Sequence, residues 1–218
     1  PLSNSLVAWM TKRGVKVVSV VLSDQNVESS LSREFFGDYY NSIRSVTYLA
    51  GLSVTSRPSA DSVERLVNRC SNLLELTLHN IDMDDFDLRR VLTNSTKLID
   101  LKLLFCSNVD LKAIHECGLR LHSLDLTGLK STRQPPQAET LSFSPANTLL
   151  KLVAFNLPRR MDRLQLTGFI CANAGLRELQ IDQLCGSEIC NIVRHCPLLT
   201  TLRADMRFDE EVGVDVED

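Results

Sequence analysis

Apolar residues recur along this chain in a six-position frame of the form L-x-x-L-x-L. Residues 73–78 read LLELTL and residues 98–103 read LIDLKL, with a polar residue between the last two leucines of each. Because successive side chains of a strand point to opposite faces, Leu76 and Leu78 share one buried face. Between the two copies, Phe86, Val91 and Leu92 recur at roughly helical spacing over residues 84–92. The pattern therefore predicts a strand, a turn, a helix and then the same strand again.

The same frame can be followed through the whole sequence. Its central apolar positions are Val20, Val46, Leu76, Leu101, Leu124, Leu152, Leu179 and Leu202. Consecutive centres are 23 to 30 residues apart, and a period in the twenties is typical of leucine-rich repeats. The chain resembles leucine-rich repeat proteins from end to end, most clearly in the third, fourth, fifth, seventh and eighth copies. This resemblance implies an α/β fold, a right-handed horseshoe solenoid of about eight irregular repeats with one parallel sheet on its concave side.

Cysteines indicate a subfamily. Cys70, Cys117 and Cys196 lie six or seven residues before a central leucine, and this placement is similar to the cysteine-containing repeats of F-box substrate receptors. A small apolar thiol suits the junction where each helix ends. The position after the frame, which carries Asn or Cys in many repeats, is mostly apolar here: Ile81, Cys106, Leu129, Leu157 and Leu184. An unbroken side-chain ladder is therefore not expected, and the ribonuclease-inhibitor-like subfamily fits worse.

The repeats predict one domain over residues 1–208, followed by an acidic tail over residues 209–218. Helices are predicted at residues 3–13, 28–42, 62–69, 84–92, 111–116, 163–174 and 186–195, with Asp61 capping the third. Residues 130–148 contain three prolines and little helical periodicity, which indicates an irregular insertion on the convex side. A surface loop is the simpler interpretation of this insertion. A docking or phosphorylation segment around Ser142 and Ser144 is the alternative.

Charge and cysteine content narrow the class of protein. The formal net charge is -3, and the six acids of residues 209–218 leave 24 basic against 21 acidic residues elsewhere. So mild a balance does not predict nucleic-acid binding. No apolar run is long enough to span a membrane. Seven cysteines, most of them at frame positions, predict reduced thiols in an intracellular protein, cytoplasmic or nuclear. The chain begins at Pro1 without a methionine, so an F-box or another domain could precede it.

Groups that could support catalysis or metal binding do not fit a known arrangement. The spacing of Cys185, Cys190, His195 and Cys196 matches no paired zinc motif, and Cys190 is predicted to lie on the apolar face of a helix. The aspartates of residues 82–87 crowd a predicted helix start, where negative charge is favourable without any function. No phosphate-binding or nucleophile-elbow motif occurs. The sequence therefore predicts a protein that is not an enzyme and that needs no cofactor.

Residues between and after the leucines are expected to point off the open face of the sheet. Leu49, Leu104, Val153 and Phe155 are apolar at such outward positions. They are either shielded by loops or serve as anchors of a protein interface, with His79, Lys102 and Asp125 as polar neighbours.

These positions favour a scaffold that binds a protein partner on the concave face. The subfamily resemblance implies the substrate-recognition part of an F-box-type ubiquitin-ligase receptor. A structural or regulatory subunit of a larger assembly, including a GTPase-regulator-like leucine-rich repeat protein, is the alternative. An enzyme is the third hypothesis, which a metal site or a perturbed Cys-His pair would revive. The partner's identity and the oligomeric state are left open by the sequence.

Overall fold

The computed structural model describes residues 12–14, 16, 18–23, 39–50, 60–83, 88–117, 120–130, 145, 148–157 and 163–206. Eight strands are described: β1 Ser19–Ser23, β2 Ser45–Leu49, β3 Glu75–His79, β4 Asp100–Leu104, β5 Ser123–Asp125, β6 Lys151–Ala154, β7 Glu178–Leu184 and β8 Thr201–Met206. They form one sheet in chain order from β1 to β8, and every neighbouring pair is parallel. The protein is therefore an α/β protein with a single parallel sheet.

Helices connect most of these strands, as parallel neighbours require a crossover. Those described are α1 Ala60–Arg69, α2 Leu88–Asn94, α3 Leu111–Cys117, α4 Arg163–Cys171 and α5 Gly186–His195. Between β5 and β6 only residues 126–130, 145 and 148–150 are described. The predicted insertion at 130–148 therefore lies almost wholly outside the described residues. The helices predicted at 3–13 and 28–42 likewise lie largely outside it.

The predicted register is confirmed along the whole sheet. The eight frame centres pair with one another in an unbroken row: Val20, Val46, Leu76, Leu101, Leu124, Leu152, Leu179 and Leu202. Their side chains point toward the helices, and from Val46 to Leu179 the six central ones are fully buried. Leu66 of α1, Val91 of α2 and Ile114 of α3 complete the same core. The core therefore lies between the sheet and the helices.

The same junction recurs where a helix ends and the chain turns toward the next strand. The prediction for this junction was one residue wrong in one repeat, at Cys117. Cys70, Ser95, Asn173 and Cys196 each follow a helix and accept the N–H of the frame's first leucine at 3.0–3.1 Å. Cys117 was predicted to share the position of Cys70 and Cys196, but it is the last residue of α3 and only half-buried. The equivalent position by sequence is Gly118, which the structure does not describe. A cysteine seven rather than six residues before the centre therefore belongs to the helix.

One helix start and two helix ends also differ from prediction. Helix α1 begins at Ala60, so Asp61 lies within its first turn and is not its cap. Helix α2 ends at Asn94 rather than at residue 92, and its predicted start at residues 84–87 lies outside the described residues. Helix α4 ends at Cys171 rather than at residue 174. The chain then turns through Asn173, whose side-chain Nδ2 donates to the Phe169 carbonyl at 2.7 Å.

The last repeat exposes apolar side chains that earlier repeats bury. Leu202 is 36% exposed, whereas Leu179 one strand earlier is fully buried. In α5, helical spacing predicts that Val193 faces the core, but it is 55% exposed, and Cys190 is exposed as well. Ile192 fills the core position instead. These differences arise because no further strand or helix along the described part of the chain packs against this end.

Candidate functional site

The outward face of the sheet carries all seven residues predicted to bind a partner. In the row that ends the strands, Leu49 pairs with His79 and His79 pairs with Leu104. In the row two residues earlier, Lys102 pairs with Asp125 and Asp125 pairs with Val153. The structure therefore brings six of the predicted residues onto two adjacent rows.

Phe155 joins the first row through backbone hydrogen bonds beyond the strand ends. The amide that follows each row member donates to the carbonyl of the next member along the sheet. These bonds are Ala50 N to His79 O at 3.1 Å, Asn80 N to Leu104 O at 2.8 Å, Phe105 N to Thr127 O at 2.9 Å and Gly128 N to Phe155 O at 2.6 Å. The row therefore runs Leu49, His79, Leu104, Thr127 and Phe155, and we call it the strand-end row.

The apolar members of the two rows form surface rather than core. Leu49 is 42% exposed, and Leu104, Val153 and Phe155 are half-buried. None of the four belongs to the cluster of buried residues between the sheet and the helices. Their side chains are thus available to a partner without any rearrangement of that core.

A second feature, which the sequence reasoning missed, follows the strand-end row by one residue. Four residues there have left-handed backbone: Asn80 with φ 60°, Phe105 with φ 55°, Gly128 with φ 70° and Asn156 with φ 54°. All four lie four residues after a frame centre. Glycine and asparagine tolerate this conformation. The repeated Asn and Gly at that offset were the signal that could have revealed it.

Phe105 is the outlier in this left-handed series. A bulky residue in this region is strained, and strained residues of this kind cluster at functional sites. Its ring packs over Gly128, where an added Cβ would lie 2.5 Å from the Phe105 Cδ1. The ring also lies 5.2 Å, centroid to centroid, from the imidazole of His79. Phe105 nevertheless stays 42% exposed, so an aromatic face is held toward solvent beside Leu104.

Polar side chains fix the backbone around this ring. Lys130 Nζ donates to Asn80 Oδ1 at 2.5 Å, which links two members of the turn region fifty residues apart. Asp125 Oδ1 accepts from the Thr127 amide at 2.9 Å and from the Thr127 hydroxyl at 2.6 Å. Asp125, predicted as a polar contact for a partner, is therefore also the residue that shapes the turn into Gly128.

Carboxylates occupy the opposite end of the same strands. Glu75 and Asp100 are direct neighbours across β3 and β4. Burial is the main cause that raises the pKa of Asp100; Lys102 and a hydrogen bond from the Ser123 side chain oppose the shift, and Glu75 and Asp125 add to it. Asp100 Oδ1 is buried without a hydrogen-bond partner in the described structure. Further along the sheet, Lys151 Nζ lies 3.3 Å from a Glu178 carboxylate oxygen.

The groups considered for metal or nucleophilic chemistry do not assemble. Within the described ranges no three His, Cys, Asp or Glu side chains come close enough to hold a metal ion. Cys196 is buried with its thiol near the Ile170 carbonyl at 3.5 Å, whereas His195 Nδ1 lies 2.9 Å from the Asn191 carbonyl oxygen. Burial raises the pKa of Cys196 to about 11, so this thiol is un-ionised at neutral pH and is a poor nucleophile.

The thiols themselves are all free. Cys70, Cys106 and Cys196 are buried, Cys117, Cys171 and Cys185 are half-buried, and Cys190 is exposed. Cys106 Sγ lies 3.5 Å from the carbonyl oxygens of Leu78 and Leu104. At the position after the frame, this side chain therefore contacts the backbone, as a member of a side-chain ladder would. Ile81, Leu129 and Leu184 at the equivalent position are buried and apolar.

Among the residues described, no helix combines the length and the apolar character needed to cross a lipid bilayer. Comparison of the sequence with protein-family models and with curated proteins finds no match.

Proposed function

We propose that this chain is a non-enzymatic leucine-rich repeat scaffold that binds a segment of a protein partner on the open, concave face of its sheet. The observation that carries the proposal is Phe105, whose ring stays 42% exposed although its backbone has φ 55°. Such a conformation costs about 1–3 kcal/mol, so a role outside the folding of the chain accounts for its presence. Aromatic side chains are among the residues that contribute most to protein interfaces.

The surroundings of Phe105 support this role. Leu104 precedes it on the outward face, and Phe155 lies two strands away in the strand-end row. Leu49 lies two strands away on the other side. Because neighbouring strands are about 4.8 Å apart, these anchors recur about every 10 Å along the face. An apolar row of this length suits a peptide segment or a helix of a partner better than a small molecule.

A narrower form of the proposal concerns the class of scaffold. Cys70 and Cys196 lie buried at the same helix-end junction in the third and eighth repeats. This placement supports the resemblance to F-box substrate receptors and hence a role in substrate recognition by a ubiquitin ligase. A transcript that encodes an F-box ahead of Pro1 would support this form, and one that encodes an unrelated domain would contradict it.

The test is affinity purification from native cells with the unaltered chain and with the double variant Leu104→Asp, Phe155→Asp. Both side chains lie outside the core, so we expect the melting temperature to fall only slightly. We expect the partners that bind the unaltered chain to be lost, because two charges are placed among the apolar anchors. Val193→Asp is the matched control, since it adds a charge to an exposed apolar position on the helical side.

Two results would contradict the proposal. Retention of every partner by a well-folded double variant would show that the chain binds through another surface. Such retention is what the alternative, a structural or regulatory subunit of a larger assembly, predicts. Loss of the same partners by Val193→Asp would show that the effect is not specific to the open face.

A further inference from the structure

The open face of β3, β4 and β5 is divided into an apolar side and an acidic side. No member of the strand-end row is a carboxylate, lysine or arginine, although the Lys130 ammonium lies beside the row on Asn80 Oδ1. The row at the start of the strands places Glu75 directly beside Asp100. Leu104 lies four positions after Asp100, so the two sides are about 13 Å apart along the strand. A partner that covers both sides must match an apolar and an anionic surface at once.

Among the described residues of the sheet, carboxylates outnumber cations on the acidic side. On the outward positions of β3 to β5, the carboxylates of Glu75, Asp100 and Asp125 face one ammonium group, that of Lys102. Lys151 on β6 already lies 3.3 Å from the Glu178 carboxylate, so its charge is largely matched there. The central part of the face therefore keeps a net negative charge at neutral pH.

Asp100 is the less exposed of the two carboxylates. Its Oδ1 is buried and accepts no hydrogen bond from the described part of the chain. Burial raises the pKa of its carboxyl group; Lys102 and a hydrogen bond from the Ser123 side chain oppose the shift, whereas Glu75 and Asp125 add to it. A cation brought close to this pair would therefore find a favourable potential, and covering the pair with an uncharged surface would be costly.

We propose that the partner segment is amphipathic and basic, with an apolar ridge that packs on Leu104, Phe105 and Phe155 and lysine or arginine side chains that lie over Glu75 and Asp100. This inference rests on the proposed function and adds to it the chemistry of the partner. Long basic side chains can span the distance between the two sides, because their apolar stems lie along the surface and their charged ends reach the carboxylates.

A helix laid across the strands fits the spacing of the face. Seven residues of an α-helix advance about 10 Å, which equals the separation of anchors on alternate strands. Positions i, i+7 and i+14 of such a helix would meet Leu49, Leu104 and Phe155 in turn. Its width of about 10–12 Å is comparable with the distance between the apolar and acidic sides.

The test is selection of a random peptide library, displayed on phage, against the immobilised full chain. We expect the selected peptides to carry Leu, Phe or Trp beside Lys or Arg. A synthetic copy of the most enriched peptide should bind with an affinity that falls at least tenfold for Glu75→Gln, Asp100→Asn. Its affinity should also fall between 0.15 M and 1 M salt, as the screening length decreases from about 8 Å to about 3 Å.

Control variants test the binding face and the basic character of the partner separately. Glu116→Gln removes a carboxylate on α3 and should leave the affinity unchanged. If the selected peptides are apolar but uncharged or acidic, and still lose binding to Leu104→Asp, the basic partner is wrong while the binding face stands. If no peptide distinguishes the unaltered chain from Leu104→Asp, then both this inference and the proposed binding face are wrong.

Discussion

At the scale of single residues, Phe105 joins an unfavourable backbone conformation to an exposed aromatic ring. Asn80 and Asn156 occupy the equivalent positions of the third and sixth repeats with nearly the same φ. An asparagine in this position carries less strain than a phenylalanine. Phenylalanine at this position therefore lowers the stability of the fold but supplies an exposed aromatic ring. Single substitutions can measure the two effects separately.

We predict that Phe105→Asn folds at least as well as the unaltered chain. Relief of backbone strain, about 1–2 kcal/mol, should offset the loss of the ring's contacts with Gly128 and His79. Urea unfolding measures the difference. Phe169→Ala is the control, because Phe169 is fully buried and its removal should cost about 3–5 kcal/mol. A comparable loss for Phe105→Asn would mean that the ring is part of the core.

Ser95 is a second residue at which one repeat departs from its neighbours. It occupies the helix-end junction that Cys70 and Cys196 fill with a thiol, and its hydroxyl is buried with no partner in the described structure. A cleft of about 290 Å³ opens beside it, lined in part by Leu92, Leu98 and Leu121. There is thus room for the larger sulfur atom.

We predict that Ser95→Cys raises the free energy of unfolding by about 1 kcal/mol, because it removes an unsatisfied buried hydroxyl. Chemical denaturation checks the value. Cys70→Ser makes the reverse change at the equivalent junction and should lower the stability. If both variants are destabilised alike, the junctions are not equivalent in energy and Ser95 has a partner of its own.

At the scale of elements, strand β4 alternates between core and surface within five residues. Leu101 and Leu103 are fully buried, whereas Leu104 is half-buried on the outward face. We predict that Leu101→Ala costs about 2–5 kcal/mol as a cavity in a close-packed layer. Leu104→Ala, the same change three residues away, should cost less than about 1 kcal/mol. Equal losses, measured by denaturant unfolding, would contradict the assigned faces.

The strand register could be predicted from sequence because the frame couples every inward position to its outward neighbours. That coupling fixed Leu49, His79 and Leu104 on one row. The left-handed backbone of Phe105 could not be predicted in this way. Phenylalanine disfavours that conformation, and contacts with other repeats impose it. Val193 was misplaced for another reason: helical spacing shows which residues are apolar but does not show where the packing of repeats stops.

At the scale of the whole molecule, the principal contacts between elements join neighbours along the chain. Each strand packs on the next strand, and each described helix packs on the next helix. In such an arrangement stability is roughly a sum of local terms, so the ends can open before the centre. Leu202 and Leu198 are exposed at the last repeat, so we expect that end to open before the centre.

The cysteines provide a native probe of this order of opening. Burial raises the pKa of Cys106 and of Cys196 to about 11, so both thiols are un-ionised and inert to alkylation at pH 8 while folded. Cys106 lies beyond β4 near the middle of the sheet, and Cys196 lies just before β8 at its end. Alkylation of either thiol at pH 8 therefore reports local opening around it.

We predict that Cys196 becomes reactive at lower urea than Cys106, while exposed Cys190 reacts without urea. Pulsed alkylation followed by mass spectrometry of the separate cysteine peptides measures each midpoint. A change that buries the exposed leucines of the last repeat should raise the urea midpoint of Cys196 and not that of Cys106, because each repeat contacts mainly its neighbours. A single midpoint shared by Cys106 and Cys196 would show instead that the sheet unfolds as one cooperative unit, and that the exposed leucines of the last repeat do not weaken it.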